Sequence, residues 1–137
     1  MNREPAGVVV RTVCRRLTPF VQLFGLYVIM HGHSSPGGGF QGGVILAASA
    51  ILLVLAEGTD WIRRVSLPAL TVLTSTGVLL YAGVGGLCLA LGANFLDYSV
   101  LPFAEPRSVG MLLIEIGVGI TVMAALVSIF RDLVMFE

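Results

Sequence analysis

The stretch Leu17–Ala56, LTPFVQLFGLYVIMHGHSSPGGGFQGGVILAASAILLVLA, decides the fold, because it carries no formal charge from end to end. A helix needs about 20 apolar residues to cross the hydrocarbon core of a bilayer. These residues are too many for one crossing and enough for two. The break falls at Ser34–Gly43, S-S-P-G-G-G-F-Q-G-G, since Pro and repeated Gly are the strongest helix interrupters. The stretch therefore predicts two apolar helices folded back on each other through a Gly-rich hairpin.

Working outward, Leu67–Gly92 contains no charge and Ser108–Phe130 contains one, Glu115. Both predict membrane crossings. The fold expected is all-α: a single transmembrane domain over residues 1–137, with four transmembrane helices near 13–31, 40–57, 67–92 and 107–131. Arg11, Arg15 and Arg16 can lie along the first helix with their charged heads in the interface. Trp61 falls in a polar turn, Glu57–Arg64, where an interfacial aromatic is expected. A longer connection with Pro102 and Pro106 spans 94–107. Met1–Gly7 shows no small-residue cleavage pattern, so the first apolar segment is expected to be retained.

Composition agrees. Hydrophobic residues make up 56% and charged residues 12%, against roughly 45–50% and about 25% in soluble domains. So few charges do not cover a water-exposed surface, whereas lipid needs no such cover. The formal net charge is zero, which gives no pull toward nucleic acid. Gly37–Gly42 matches G-x-G-x-x-G, but a dinucleotide fingerprint needs a preceding strand and a βαβ unit, and here apolar spans flank it. All eight basic residues are Arg, so there is no phosphate-loop lysine and no nucleotide site is expected. Cys14 and Cys88 form no C-x-x-C pair and read as buried thiols. No metal site and no cofactor are expected on this chain.

With four crossings, Arg3, Arg11, Arg15, Arg16, Arg63, Arg64 and Arg131 fall on one side and Arg107 on the other. The positive-inside rule then places both termini in the cytoplasm. Small residues recur every fourth position, Ala82–Gly86–Ala90 on the third helix and Gly117–Thr121–Ala125 on the fourth. That spacing lets helices approach closely in lipid, and much of the surface is expected to bind other protein chains.

Three features carry chemistry. Glu115 lies about one turn from the expected centre of the last helix. A carboxylate there costs about 2.5–3.5 kcal/mol on insertion scales and marks a site by default. It must be protonated, paired or facing water; the alternative is a structural hydrogen bond to another helix. Gly119, one turn on, would leave room for a partner or water. His31 and His33 end the first helix. Two positions apart, they face different ways, which suits a proton relay or plain interfacial polarity better than a metal. The hairpin residues Pro36, Gly37, Gly38, Gly39, Phe40, Gln41, Gly42 and Gly43 leave peptide groups uncovered. In a membrane such backbone persists only where protein or water satisfies it. Gln41 and Ser34 could supply hydrogen bonds there, with Phe40 as the bulky anchor.

The run His31–Ala47, H-G-H-S-S-P-G-G-G-F-Q-G-G-V-I-L-A, resembles the signature of the MnhB family, the B-type subunits of the Mrp-type multisubunit Na+/H+ antiporters. Arg107–Val122, R-S-V-G-M-L-L-I-E-I-G-V-G-I-T-V, is similar to the same family. The resemblance implies a non-catalytic subunit of a cation/proton-translocating complex. Its partners would be other membrane subunits, and Na+ or H+ would be the transported ions. Similar subunits occur in membrane-bound hydrogenases and related ferredoxin-linked complexes. The resemblance is therefore also compatible with a purely structural subunit in the membrane arm of such a complex. Nothing in the residues chooses between these settings.

Overall fold

A computed structural model describes residues 7–32, 37–102 and 104–136. Its regular structure is helical: α1 (Val8–Met30), α2 (Gly39–Glu57), a short α3 (Asp60–Arg64), α4 (Leu67–Ala90), a 3-10 turn at Tyr98–Val100, and α5 (Pro106–Phe136). Four of these helices, α1, α2, α4 and α5, are long and apolar enough to cross a membrane.

The ends differ from the sequence expectation where local chemistry extends or trims a helix. α1 starts at Val8 rather than near 13, so Arg11, Arg15 and Arg16 are helical throughout. Pro19 lies inside α1, where it removes one backbone donor without ending the helix. α4 is capped by Ser66, whose hydroxyl accepts from the Ala69 amide at 3.3 Å. α5 opens on Pro106, whose missing N–H is no loss at a first helical position, and runs on through Arg131 and Asp132 to Phe136. The expected polar turn around Trp61 is helical over Asp60–Arg64, with Asp60 in its first turn, Arg63 and Arg64 in its last, and Ile62 buried beneath. That charge order suits the helix dipole.

The four long helices form an open row and not a closed bundle. α2 and α5 pack side by side in the middle, α1 flanks α2, α4 flanks α5, and α1 meets α5 only slightly. The outer helices consequently expose Phe20, Leu23 and Phe24 on α1 and Val72, Leu79 and Leu87 on α4. Lipid or another chain must cover such a surface. One apolar cluster, with Ala47, Val54, Ile62, Leu70 and Val127, joins α2, α3, α4 and α5. A second, Val84, Cys88 and Leu101, joins α4 to the loop before α5. Cys88 is buried as expected, whereas Cys14 is only partly so.

The α4–α5 seam runs through Gly77, set against Gly117 and Thr121, and Thr121 Oγ1 donates to the Thr74 carbonyl at 3.2 Å. Ala82, Gly86 and Ala90 face outward instead. Gly86 is nine residues past Gly77, which at 3.6 residues per turn puts it on about the opposite face. That stripe is therefore not used within the chain.

Arg11 and Arg15 both reach Glu57, and Arg131 Nε donates to the Val65 carbonyl at 2.8 Å. These contacts collect Arg11, Arg15, Arg63, Arg64 and Arg131 at one end of the row, the arginine end. Arg107, in the first turn of α5, lies at the far end.

Candidate functional site

The site is built where α1 turns into α2. Gly37 and Gly38 lead into α2, with φ of 118° and 149°. Gly38, at ψ −164°, occupies a region essentially closed to other residues. α2 begins at Gly39. The expected hairpin thus divides: Gly37 and Gly38 precede α2, while Gly39, Phe40, Gln41, Gly42 and Gly43 form its opening. His33, Ser34, Ser35 and Pro36 lie outside the described residues. Phe40 does not anchor the turn within this chain; it points outward, 63% exposed. Val28 and Gln41 frame the turn instead. A Cβ added to Gly37 would stand 2.9 Å from Val28 Cγ1 and 3.2 Å from Gln41 Oε1.

Glu115 on α5 lies directly under this turn. A Cβ on Gly32 would collide with its Oε1 and stand 2.7 Å from its carboxyl carbon, and one on Gly38 would meet Oε1 at 3.4 Å. The Glu115 Oε2 is closed off from solvent. Two α2 glycines one turn apart create the approach. A Cβ on Gly39 would strike the Glu115 main-chain carbonyl, and one on Gly43 would sit 2.7 Å from the Gly119 carbonyl oxygen. The expected space at Gly119 does not exist. α2 backbone and the Ile29 side chain fill it: a Cβ there would meet Ile29 Cδ1 at 2.9 Å and the Gly39 carbonyl at 3.3 Å.

The position of the carboxyl along its helix also differs from expectation. Because α5 continues to Phe136, its midpoint lies nearer Thr121, and Glu115 is more than a turn and a half from it. From Glu115 to Pro106 the helix rises about 13 Å at 1.5 Å per residue. The Thr74–Thr121 register puts Glu115 about level with Leu80, and α4 then continues for about 15 Å to Ala90. Gly32 and Gly38, which flank the carboxyl, therefore lie well short of the far ends of α4 and α5, and the carboxyl stays inside the apolar span of both.

His31 follows the last residue of α1. Its Nδ1 lies 3.1 Å from the Tyr27 carbonyl oxygen, and its ring stacks on Tyr27 with centroids 4.2 Å apart. It is exposed, and its neighbour Gly32 lies so close to the Glu115 carboxyl that a Cβ there would collide with it. Sequence reasoning thus finds Glu115 and the turn but not Gly32 as their contact. It also misses the Arg11–Arg15–Glu57 cluster. The available signal there is that Glu57 is the first charge after forty neutral residues.

An apolar row of four crossing-length helices, with a carboxyl set against the glycines between two of them, defines a multi-pass membrane protein. The chain belongs to the family described as "Domain related to MnhB subunit of Na+/H+ antiporter", whose model matches residues 9–128. It is 31% identical over 107 residues to the B-type subunit of the Na(+)/H(+) antiporter of Bacillus subtilis (strain 168), covering 77% of this chain and 75% of that one. It is 27% identical over 133 residues to the corresponding antiporter subunit of Alkalihalophilus pseudofirmus, covering 88% of this chain and 92% of that one. Among solved structures, a chain of the membrane-bound sulfane sulfur reductase, an archaeal respiratory membrane complex, matches with TM-score 0.80 and 29% identity. That match covers 97% of this chain and 60% of the solved chain.

Proposed function

We propose that this chain is a non-catalytic membrane subunit of a multisubunit cation/proton-translocating complex of the Na+/H+ antiporter type. It would sit in the cell membrane with both termini in the cytoplasm and pack against other membrane subunits. Glu115 is its contribution to the ion path, exchanging a proton or contacting Na+, with His31 at the exposed rim of the same turn. The chain itself would bind no cofactor. The observation that carries this reading is the Glu115 carboxyl set against Gly32 and Gly38, inside the apolar span of α5. An embedded carboxylate costs free energy and marks a functional site by default.

The similarity to a chain of a respiratory complex favours a second reading, a structural subunit in a redox-linked membrane arm. Glu115→Gln in the assembled parent complex separates the two, because it keeps shape and most hydrogen bonding while removing titration. The ion-path reading expects intact assembly with transport largely lost. Intact assembly with a wild-type rate at every pH would sink it, and lost assembly would assign Glu115 to the structural reading.

A further inference from the structure

At the arginine end a cleft of about 590 Å³ opens between α1 and α3, lined by Arg11, Arg15, Arg64 and Trp61, with Pro19 and Leu53 toward the apolar side. We infer that this cleft binds the headgroup of an anionic phospholipid. The inference does not depend on the role of Glu115.

Charge and donor geometry come first. Glu57 and Asp60 also line the cleft, so three arginines face two carboxylates. Arg16 adds a fourth positive charge in the adjoining groove, which shares Arg11 and Arg15. Glu57 sits deep, at 16% exposure, while the side chains of Arg11 and Arg15 are 44% and 62% exposed. Glu57 engages Arg11 and Arg15 through Nε and Nη2. A guanidinium carries five N–H donors, so the Nη1 of each is left over by Glu57. Outward-facing guanidiniums with spare donors match phosphate oxygens.

The surroundings select a lipid over a soluble anion. Trp61, 42% exposed, stands at the rim, as an interfacial aromatic does. Leu23 and Leu26 are 64% and 51% exposed. Leu26 follows Arg15 by eleven residues, three turns further along the same stripe of α1. A headgroup held by the arginines would lay its acyl chain on that stripe, which a free phosphate would leave bare. Basic pockets of this kind beside membrane helices are where anionic headgroups bind.

The test uses the full chain in neutral detergent. Native mass spectrometry counts retained dioleoyl phosphatidylglycerol against dioleoyl phosphatidylcholine and against inorganic phosphate. The anionic lipid should be retained over both. Arg64→Gln, which leaves the Glu57 ion pairs in place, should lower its retention about five-fold, the effect of one basic residue near the surface. Glu57→Gln removes the competing carboxylate and should raise retention by a similar factor. Arg107→Gln, at the far end, should change nothing. Equal retention of the two lipids would overturn the inference. So would binding of inorganic phosphate as tight as that of phosphatidylglycerol, or unchanged retention in both Arg64→Gln and Glu57→Gln.

Discussion

The two ends of the α1–α2 hairpin are held by opposite means. At the arginine end, Arg11 and Arg15 reach Glu57 with long side chains, which move when the helices move. Near the other end, α2 meets α5 without a side chain of its own: Gly39 and Gly43 rest on the backbone of α5 at Glu115 and Gly119. The first kind of contact tolerates change because ions can be re-solvated at an interface. The second does not, since interiors packed to this density have no room for one more atom. A membrane helix pair has little hydrophobic force to hold it, so close backbone packing matters more than it would in water. The carboxyl proposed for the ion path lies at the intolerant end, where its position is set by main chain.

The largest effect should come from adding one carbon at that end. Gly39→Ala puts a Cβ against the Glu115 carbonyl, and overpacking of this kind costs about 1–3 kcal/mol. The control is Gly83→Ala, on the exposed face of α4, where a Cβ meets nothing within 4 Å. It should be neutral or stabilise by up to about 1 kcal/mol through helix propensity. Both can be read by unfolding the isolated chain in detergent with added SDS. Equal stability of the two variants would mean that α2 does not approach α5 this closely.

The intolerant end is partly legible in the sequence, and the reasons are specific. Glu115 stands out because it is the one charge in a long apolar run, and S-P-G-G-G-F-Q-G-G stands out because it breaks another. What lies beneath them does not. α2 and α4 are apolar on nearly every face, so periodicity cannot say which side meets a neighbour. The pairing of Gly39 and Gly43 with Glu115 and Gly119 depends on which helices are adjacent, and the open order α1–α2–α5–α4 is a tertiary fact. The position of Glu115 along its helix is misjudged from sequence because Arg131 and Asp132 read as the end of α5, which runs on to Phe136. The Arg11–Arg15–Glu57 cluster joins residues more than forty positions apart, and no local pattern encodes that. By contrast, the family signature at His31–Ala47 carries the membership correctly without any knowledge of contacts.

An intermediate effect is expected on the α4–α5 seam, where a side chain and backbone share the work. Thr121→Val keeps the shape against Gly77 but deletes the hydroxyl that donates to the Thr74 carbonyl. Interhelical hydrogen bonds in membrane proteins average about 0.6 kcal/mol, with a maximum near 1.7. The loss should fall in that range in the same SDS titration. A loss as large as that of Gly39→Ala would remove the distinction between backbone-held and side-chain-held contacts.

The smallest effect is expected at the arginine end. Glu57→Gln deletes both ion pairs at once, yet the Arg11 and Arg15 side chains are 44% and 62% exposed and regain water when released, while the amide leaves no charge at the deeper position. Pairs whose arginines reach water contribute little, because solvent screens the attraction and ordering two long side chains costs entropy. The variant should therefore unfold at nearly the same SDS fraction as the wild type. Salt provides the internal check. Raising ionic strength shortens the screening length from about 10 Å at 0.1 M to about 3 Å at 1 M, so whatever the pairs contribute should fade in the wild type. Glu57→Gln should show no such response. The backbone contacts at Gly39 carry no net charge to screen, so Gly39→Ala should remain equally destabilised at both salt concentrations. If Glu57→Gln destabilised the chain more than Gly39→Ala, and high salt did not close the gap, the hairpin would be held at its charged end and the contrast between its two ends would be reversed.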